Sequence, residues 1–188
     1  MTKSKSPYFF LLIVFLLTAC TTGDGKPLAK MTYDHLAPIP VYAASYEVIN
    51  DKGETRIEGF IGDPAQSITD YFRHRYTPNG SNGKLVVRIV DSSITHRMLQ
   101  SDNRMGALLG VDRDDEYTIK AQVDVQLYGS GAYRFQEVRI NATQIVAISE
   151  HKSLVDREKL QMEAIDRLIG NIDKETQKIL NEKFDILN

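Results

Sequence analysis

Cys20 is the chain's sole cysteine, and its thiol is the most distinctive reactive group in the sequence. A cysteine can be acylated, oxidised or metal-bound as its thiolate, but with no second cysteine it cannot close an internal disulfide. Other candidate groups are dispersed. His35, His74, His96 and His151 supply no pair at metal-ligand spacing, and no zinc motif exists. Asp112-Arg-Asp-Asp-Glu116 concentrates carboxylates but lacks the glycine and distal glutamate of a calcium loop, so it reads as a solvated acidic turn. Gly129-Ser130-Gly131 joins two strand patterns and opens no helix, so it reads as a turn and not as a phosphate cradle. No G-x-S-x-G elbow is present, and the sequence assembles no catalytic set, metal motif or cofactor motif. Chemistry at Cys20 is therefore what the rest of the N-terminus must explain.

Lys3 and Lys5 precede ten apolar residues, Tyr8 to Leu17, and small residues then lead to Cys20, the layout of a secretory signal. The run is too short for a transmembrane helix, which needs roughly 20 apolar residues, and Thr21-Thr22-Gly23-Asp24-Gly25 ends it with polar, flexible residues. Leu17-Thr18-Ala19-Cys20 resembles the bacterial lipobox. That resemblance implies acylation of the thiol, cleavage before Cys20 and acylation of the new amino group, so that a membrane is the first partner. One acyl chain anchors only marginally, at about 0.8 kcal/mol per buried CH₂, and stable attachment takes at least two. Thr21 after the cysteine, where aspartate would imply inner-membrane retention, implies an outer-membrane location facing the periplasm.

These elements divide the chain into a signal peptide over 1–19, a lipidated and flexible tether over 20–40, and a single periplasmic domain over 41–188. Of 23 basic residues, Lys3 and Lys5 precede the cut, which leaves 21 against 25 acidic residues and a mature formal charge of −4. The basic residues are scattered among acids apart from Arg73-His74-Arg75, so nothing favours nucleic acid. With no cysteine left for a disulfide, the core alone must stabilise the fold.

Hydrophobic periodicity predicts the elements. Val41–Ile49 reads as a strand with Tyr42, Ala44, Tyr46 and Val48 on one face, and Ile57–Ile61 as a short second strand. Asp63-Pro64 opens a helix with Ala65, Ile68, Phe72 and Tyr76 inward, and Arg73-His74-Arg75 complement its C-terminal dipole. Lys84–Val90 reads as a buried strand, bulged at Asp91-Ser92-Ser93 and resuming through Met98. Glu116–Tyr128 alternates, with Tyr117, Ile119, Ala121, Val123, Val125 and Leu127 inward; a tight hairpin returns it as Tyr133–Ile148. Ser153 and Asp156 open a final helix whose stripe runs from Val155 through Met162, Ile165, Ile169 and Ile172 to Ile179, with a bend or break expected at Gly170. The whole predicts an α+β two-layer sandwich: a mainly antiparallel four-stranded sheet in β-α-β-β-β-α order, with two helices on one face.

This order behind a lipobox is similar to small proteobacterial outer-membrane lipoproteins of uncharacterised function. The likeness rests on Asp63-Pro64-Ala65, Leu85-Val-Val-Arg-Ile-Val-Asp91, the Glu116-Tyr117 opening of the alternating strand, and Ser153, Leu154, Arg157 and Glu158 before the last helix. More distantly, the topology is similar to the LPS-assembly lipoprotein and to auxiliary lipoproteins of ABC transport systems. The resemblance implies a non-enzymatic binding or assembly accessory subunit of an envelope complex, with an envelope protein as partner. The alternative is a periplasmic small-ligand or lipid-binding protein, or a hydrolase with a site assembled only by the fold. Met105, Leu108 and Leu109, apolar residues in the otherwise polar connection between the long strands, are candidates for partner binding if they are exposed, and for capping the core if they are not. Acylation is the direct test of Cys20: a palmitate-analogue label should follow the chain and vanish in Cys20→Ser, and a soluble mature protein with Cys20 intact would refute the anchor.

Overall fold

The computed structural model describes residues 31–100, 113–130 and 133–187. Strands β1 (Ile39–Val41) and β2 (Ser45–Asn50) precede helix α1 (Pro64–Arg75). There follow β3 (Tyr76–Pro78), β4 (Lys84–Gln100), β5 (Arg113–Ser130), β6 (Tyr133–Ser149) and helix α2 (Leu154–Glu182). The main sheet has order β2-β4-β5-β6, with β2 parallel to β4 and the remaining pairs antiparallel. The parallel pair is possible because α1 makes the crossover that such strands need. Helix α1 packs on β2 and β4, and α2 chiefly on β6, so both cover one face of the sheet. The two-layer α+β sandwich is thus the observed architecture.

The inward row of β5 is buried from Tyr117 to Leu127, as alternation requires. Beneath it lie Ile68 and Phe72 of α1 and Ile165, Leu168, Ile169 and Ile172 of α2, all essentially inaccessible to water. Burial of each such side chain contributes roughly 1.5–3 kcal/mol. Asp63 caps α1 by accepting the backbone N–H of Gln66 at 3.1 Å, and Ser153 caps α2 by accepting that of Asp156 at 3.2 Å. The helices are joined through buried Asp173, which accepts from the Tyr76 hydroxyl at 2.8 Å and from Gln177 at 2.6 Å, with Arg75 at 3.4 Å as its counter-ion. Burial and then the nearby Asp173 carboxylate push the Tyr76 hydroxyl far above the usual tyrosine range, so it stays a donor.

Several expectations are corrected. The strand foreseen over Val41–Ile49 is two strands, because the chain makes a tight turn in which Ala43 N–H reaches the carbonyl of Val41 at 2.8 Å. The turn shifts the phase: Val41 and Ala43 are buried, Tyr42 and Ala44 are exposed, and inward alternation resumes at Tyr46. Gly80 permits this, since a Cβ there would lie 2.7 Å from the backbone of Tyr42 and Ala43. β1 pairs instead with β3, in a small parallel sheet that periodicity did not reveal. Ile57–Ile61 is not a strand; Gly59 and Gly62 take φ of +77° and +95°, which breaks extended geometry. Residues 31–40, expected as the end of a tether, lie against the domain: Tyr33 is buried edge-on against Tyr71, and His74 and Arg75 hold the carbonyls of Leu36 and Ala37.

Two corrections concern α2. Its 29 residues continue unbroken through Gly170, a span of about 43 Å. Val155, expected in the buried stripe, is 71 % exposed, because the stripe begins only at Gln161. Gly170 is exposed and an added Cβ would meet nothing within 4 Å. Gly170→Ala should therefore raise stability by about 0.5–1 kcal/mol, whereas Ile169→Asp one residue earlier should lower it by about 3–5 kcal/mol. Chemical denaturation of both variants checks this, and equal midpoints would show that α2 is not docked.

Candidate functional site

The bulge in β4 decides what the far end of the sheet presents. Before it Leu85, Val87 and Ile89 face inward, and after it Ser92 and Ile94 do, because the register with β5 shifts between Ile89 and Asp91. One extra residue exchanges the two faces of everything that follows. His96, which strict alternation would turn outward, thereby lands on the helix-covered face opposite Tyr117.

There it joins residues from three elements. The His96 ring stacks on Tyr117 at 4.8 Å between centroids and 20° between planes. Its Nε2 lies 2.7 Å from Asp115 Oδ1, and the other carboxylate oxygen accepts from the guanidinium of Arg157, from the second turn of α2. Arg157 also donates to the carbonyl of Ser149 at 3.3 Å, where β6 ends. Burial pushes the Asp115 carboxyl up, but the hydrogen bonds from Arg157 and His96 outweigh it and hold the group below the ordinary carboxylate range. Next to an ionised carboxylate, His96 Nε2 carries the proton. The Tyr117 hydroxyl donates to the carbonyl of Gly59 at 3.0 Å and is itself raised by burial first and by Asp115 second.

The loop before α1 is locked beside this cluster by one side-chain amide. Gln161 donates to the carbonyl of Gly59 at 2.9 Å and accepts from the backbone N–H of Ile61 at 2.8 Å, as a neighbouring strand would. A groove of about 270 Å³ runs between this loop and the start of α2, with Phe60, Ile61, Leu154, Arg157 and Gln161 in its walls. Around it stand exposed apolar side chains: Leu154 and Val155, each 71 % exposed, and Met98, 65 % exposed and paired in register with Asp115. An aspartate that orients an imidazole could serve a general base, yet among the described residues no hydroxyl or thiol is hydrogen-bonded to His96. The arrangement is an ion pair with a stacked histidine beside exposed apolar side chains.

Opposite the helices, the sheet carries cross-strand polar pairs. Arg139 holds Asp124 through two bonds of 2.7 Å, Gln126 donates to Glu137 at 2.6 Å, and Arg97 to Glu116 at 2.8 Å. Asp124 and Gln126 are buried by these neighbours, so the face expected to be wet is partly sheltered.

Of the residues singled out in sequence, Cys20, Met105, Leu108 and Leu109 lie outside the described residues. The acidic run is not a turn beyond Asp112: Arg113 opens β5, and Asp115 and Glu116 are engaged by Arg157 and Arg97. Arg73-His74-Arg75 does more than offset a dipole, since His74 and Arg75 tie down the chain before β1. The His96–Asp115–Arg157 cluster escaped sequence reading because its members lie 19 and 42 residues apart.

No protein-family model matches the chain, and no curated protein matches it in sequence. Among solved structures, it is similar to the rare lipoprotein B of Shewanella oneidensis, at 13 % identity and a TM-score of 0.35 over 72 % of this chain and 98 % of that one. It is also similar to a minor lipoprotein of Acinetobacter baumannii, at 12 % identity and a TM-score of 0.37 over 75 % and 92 %.

Asp115 gives the cluster a pH signature. Its folded pKa is depressed, so its contribution is present above the unfolded value of about 3.9 and is lost as pH falls through the folded value. Asp115→Asn should cost roughly 1.5–3 kcal/mol at neutral pH, and the difference from the parent chain should shrink to nothing in acid below the ordinary carboxylate range. Melting temperatures of the two proteins from neutral to strongly acidic pH measure this, and a constant gap would disprove the ion pair's role.

Proposed function

We propose that this chain is an outer-membrane lipoprotein that acts as a non-enzymatic periplasmic binding or assembly subunit of an envelope complex. The single observation that carries the reading is the separation of its two ends. The chain from Met31 reaches β1, which pairs with β3 and bonds to the C-terminal segment through Tyr42 and Ile186. The apolar rim around Asp115 lies at the other end of β4 and β5, whose 17 and 18 residues span about 55–60 Å. In this reading the lipid on Cys20 attaches the chain to the membrane, and the apolar rim around Asp115 meets the partner. Met105, Leu108 and Leu109, in the stretch of sequence between Gln100 and Arg113, remain candidates for partner contact in this reading.

A partner protein is favoured over a carried ligand because the centre of the space between sheet and helices is filled by Phe72, Ile119, Leu168 and their neighbours, and the grooves of about 270 and 310 Å³ lie at its margins. The competing reading, a hydrolase, draws on the His96–Asp115 pair alone. Full-length chain purified from solubilised membranes should bring down an envelope protein. Met98→Ser/Leu154→Ser should lose that protein while stability moves by only about 0.5 kcal/mol, as for surface substitutions. An unchanged set of partners, or esterase activity abolished by His96→Ala, would overturn the proposal.

A further inference from the structure

β6 is the outer strand of the main sheet, and among the described residues no strand pairs with its free edge. It runs 17 residues, and its ladder with β5 carries no register shift. An edge strand turns the N–H and C=O of every second residue outward, and proteins blunt such edges with short strands, charges, prolines or bulges. The opposite edge is blunted in these ways. β2 has six residues, and the part of β4 beyond it carries Asp91, His96 and Arg97. Lys52 sits 2.9 Å from Asp91, and Thr55 donates to the carbonyl of Ser92 at 3.5 Å.

β6 has charge only in its first half, at Arg134, Glu137 and Arg139. From Ile140 to Ser149 there is no charged residue, no glycine and no proline, and Ile145 is 55 % exposed. A β-prone, uncharged stretch on an open edge is a template for another strand. The edge is also accessible beside α2, where a groove of about 310 Å³ separates Val138 and Ile140 from Ile179.

We infer that β6 pairs with β6 of a second copy of this chain, antiparallel about a two-fold axis near Gln144, joining two four-stranded sheets into one of eight. The distribution of charge selects a second copy and locates the axis. In a self-complementary contact the same surface serves both partners, so any charged residue near the axis meets its own kind. An axis at Arg139 would set arginine against arginine. With the axis at Gln144, Arg139 faces Ser149, Ile140 faces Ile148 and Thr143 faces Ile145 of the second copy, and no charged residue of β6 opposes its own kind. The inward rows of both strands, polar at Gln144 on the axis, then adjoin, and because residues of like parity pair across the axis the two α2 helices lie on the same side of the joined sheet. The pairing depends neither on acylation nor on the apolar rim around Asp115, and its test is separate from theirs.

The test is the mass of the full-length chain in detergent, by native mass spectrometry and sedimentation. The parent chain should be a dimer. Thr143→Lys/Ile145→Lys sets ammonium groups against each other across the axis and should weaken dimerisation at least ~100-fold, since opposed like charges cost several kcal/mol. Thr143→Glu/Ile145→Lys sets opposite charges together in the same register and should restore the dimer. A monomeric parent chain, a larger open-ended assembly, a dimer that survives the double lysine variant, or a failure of the opposite-charge variant to dimerise would each overturn the inference.

Discussion

The domain depends on the two-residue period of β5. Six alternate side chains, from Tyr117 to Leu127, are buried under two helices, and their neighbours on β4 and β6 must keep the same parity or turn their own apolar rows to water. β4 could not hold that parity with the sequence it has unless one residue were added. Leu85, Val87 and Ile89 are inward by odd number, and Ile94 by even number, so the shift between Ile89 and Asp91 is what reconciles them. The bulge has a cost: Ser92 is brought inward with its hydroxyl unpaired among the described residues. It also has a product, because the same half-turn sets His96 on Tyr117 and within reach of Asp115.

Much of the fold was legible because it follows from repeats with a physical period. The alternation of β5, the 3.6-residue stripe of α2, and the caps at Asp63 and Ser153 each declare themselves within a dozen residues. What was not legible depended on contacts between distant segments. The break at Ala43 requires Gly80, nearly forty positions away, to admit the backbone, and the collapse of the Ile57–Ile61 strand is completed by Gln161 acting as its hydrogen-bonding partner. The ion-pair cluster was invisible for the same reason, although a bulge was expected in β4; it was placed at Asp91-Ser92-Ser93, whereas the shift falls between Ile89 and Asp91 and those three residues pair regularly with β5. A second clue was present in the acidic run, whose carboxylates continue the β5 alternation into Asp115.

Polar residues on the open sheet face also depart from a simple wet-and-dry division. Asp124, 3 % exposed, stands in register with Arg88 of β4 and Arg139 of β6, and its two bonds to Arg139 satisfy the carboxylate that its neighbours shield. Such pairs contribute modestly to stability where they stay solvated. Their value here is in register, since a slip of β6 by one position would leave Asp124 without its arginine and Gln126 without Glu137.

Helix α2 connects these features into one body. Arg157 near its start holds Asp115 at the end of the long strands; Asp173, past its middle, gathers Tyr76, Gln177 and Arg75; and Phe184 and Ile186 bond back to its last turn before Ile186 receives Tyr42. A break at Gly170 would have uncoupled the first of these from the others. Continuity means that the Asp115 cluster at one end of α2 and the Asp173 cluster past its middle are fixed to the same rod of about 43 Å. Nothing in the structure explains why that exposed position is glycine, and the rod holds through it because the residues on either side, Ile169 and Ile172, are buried against the sheet.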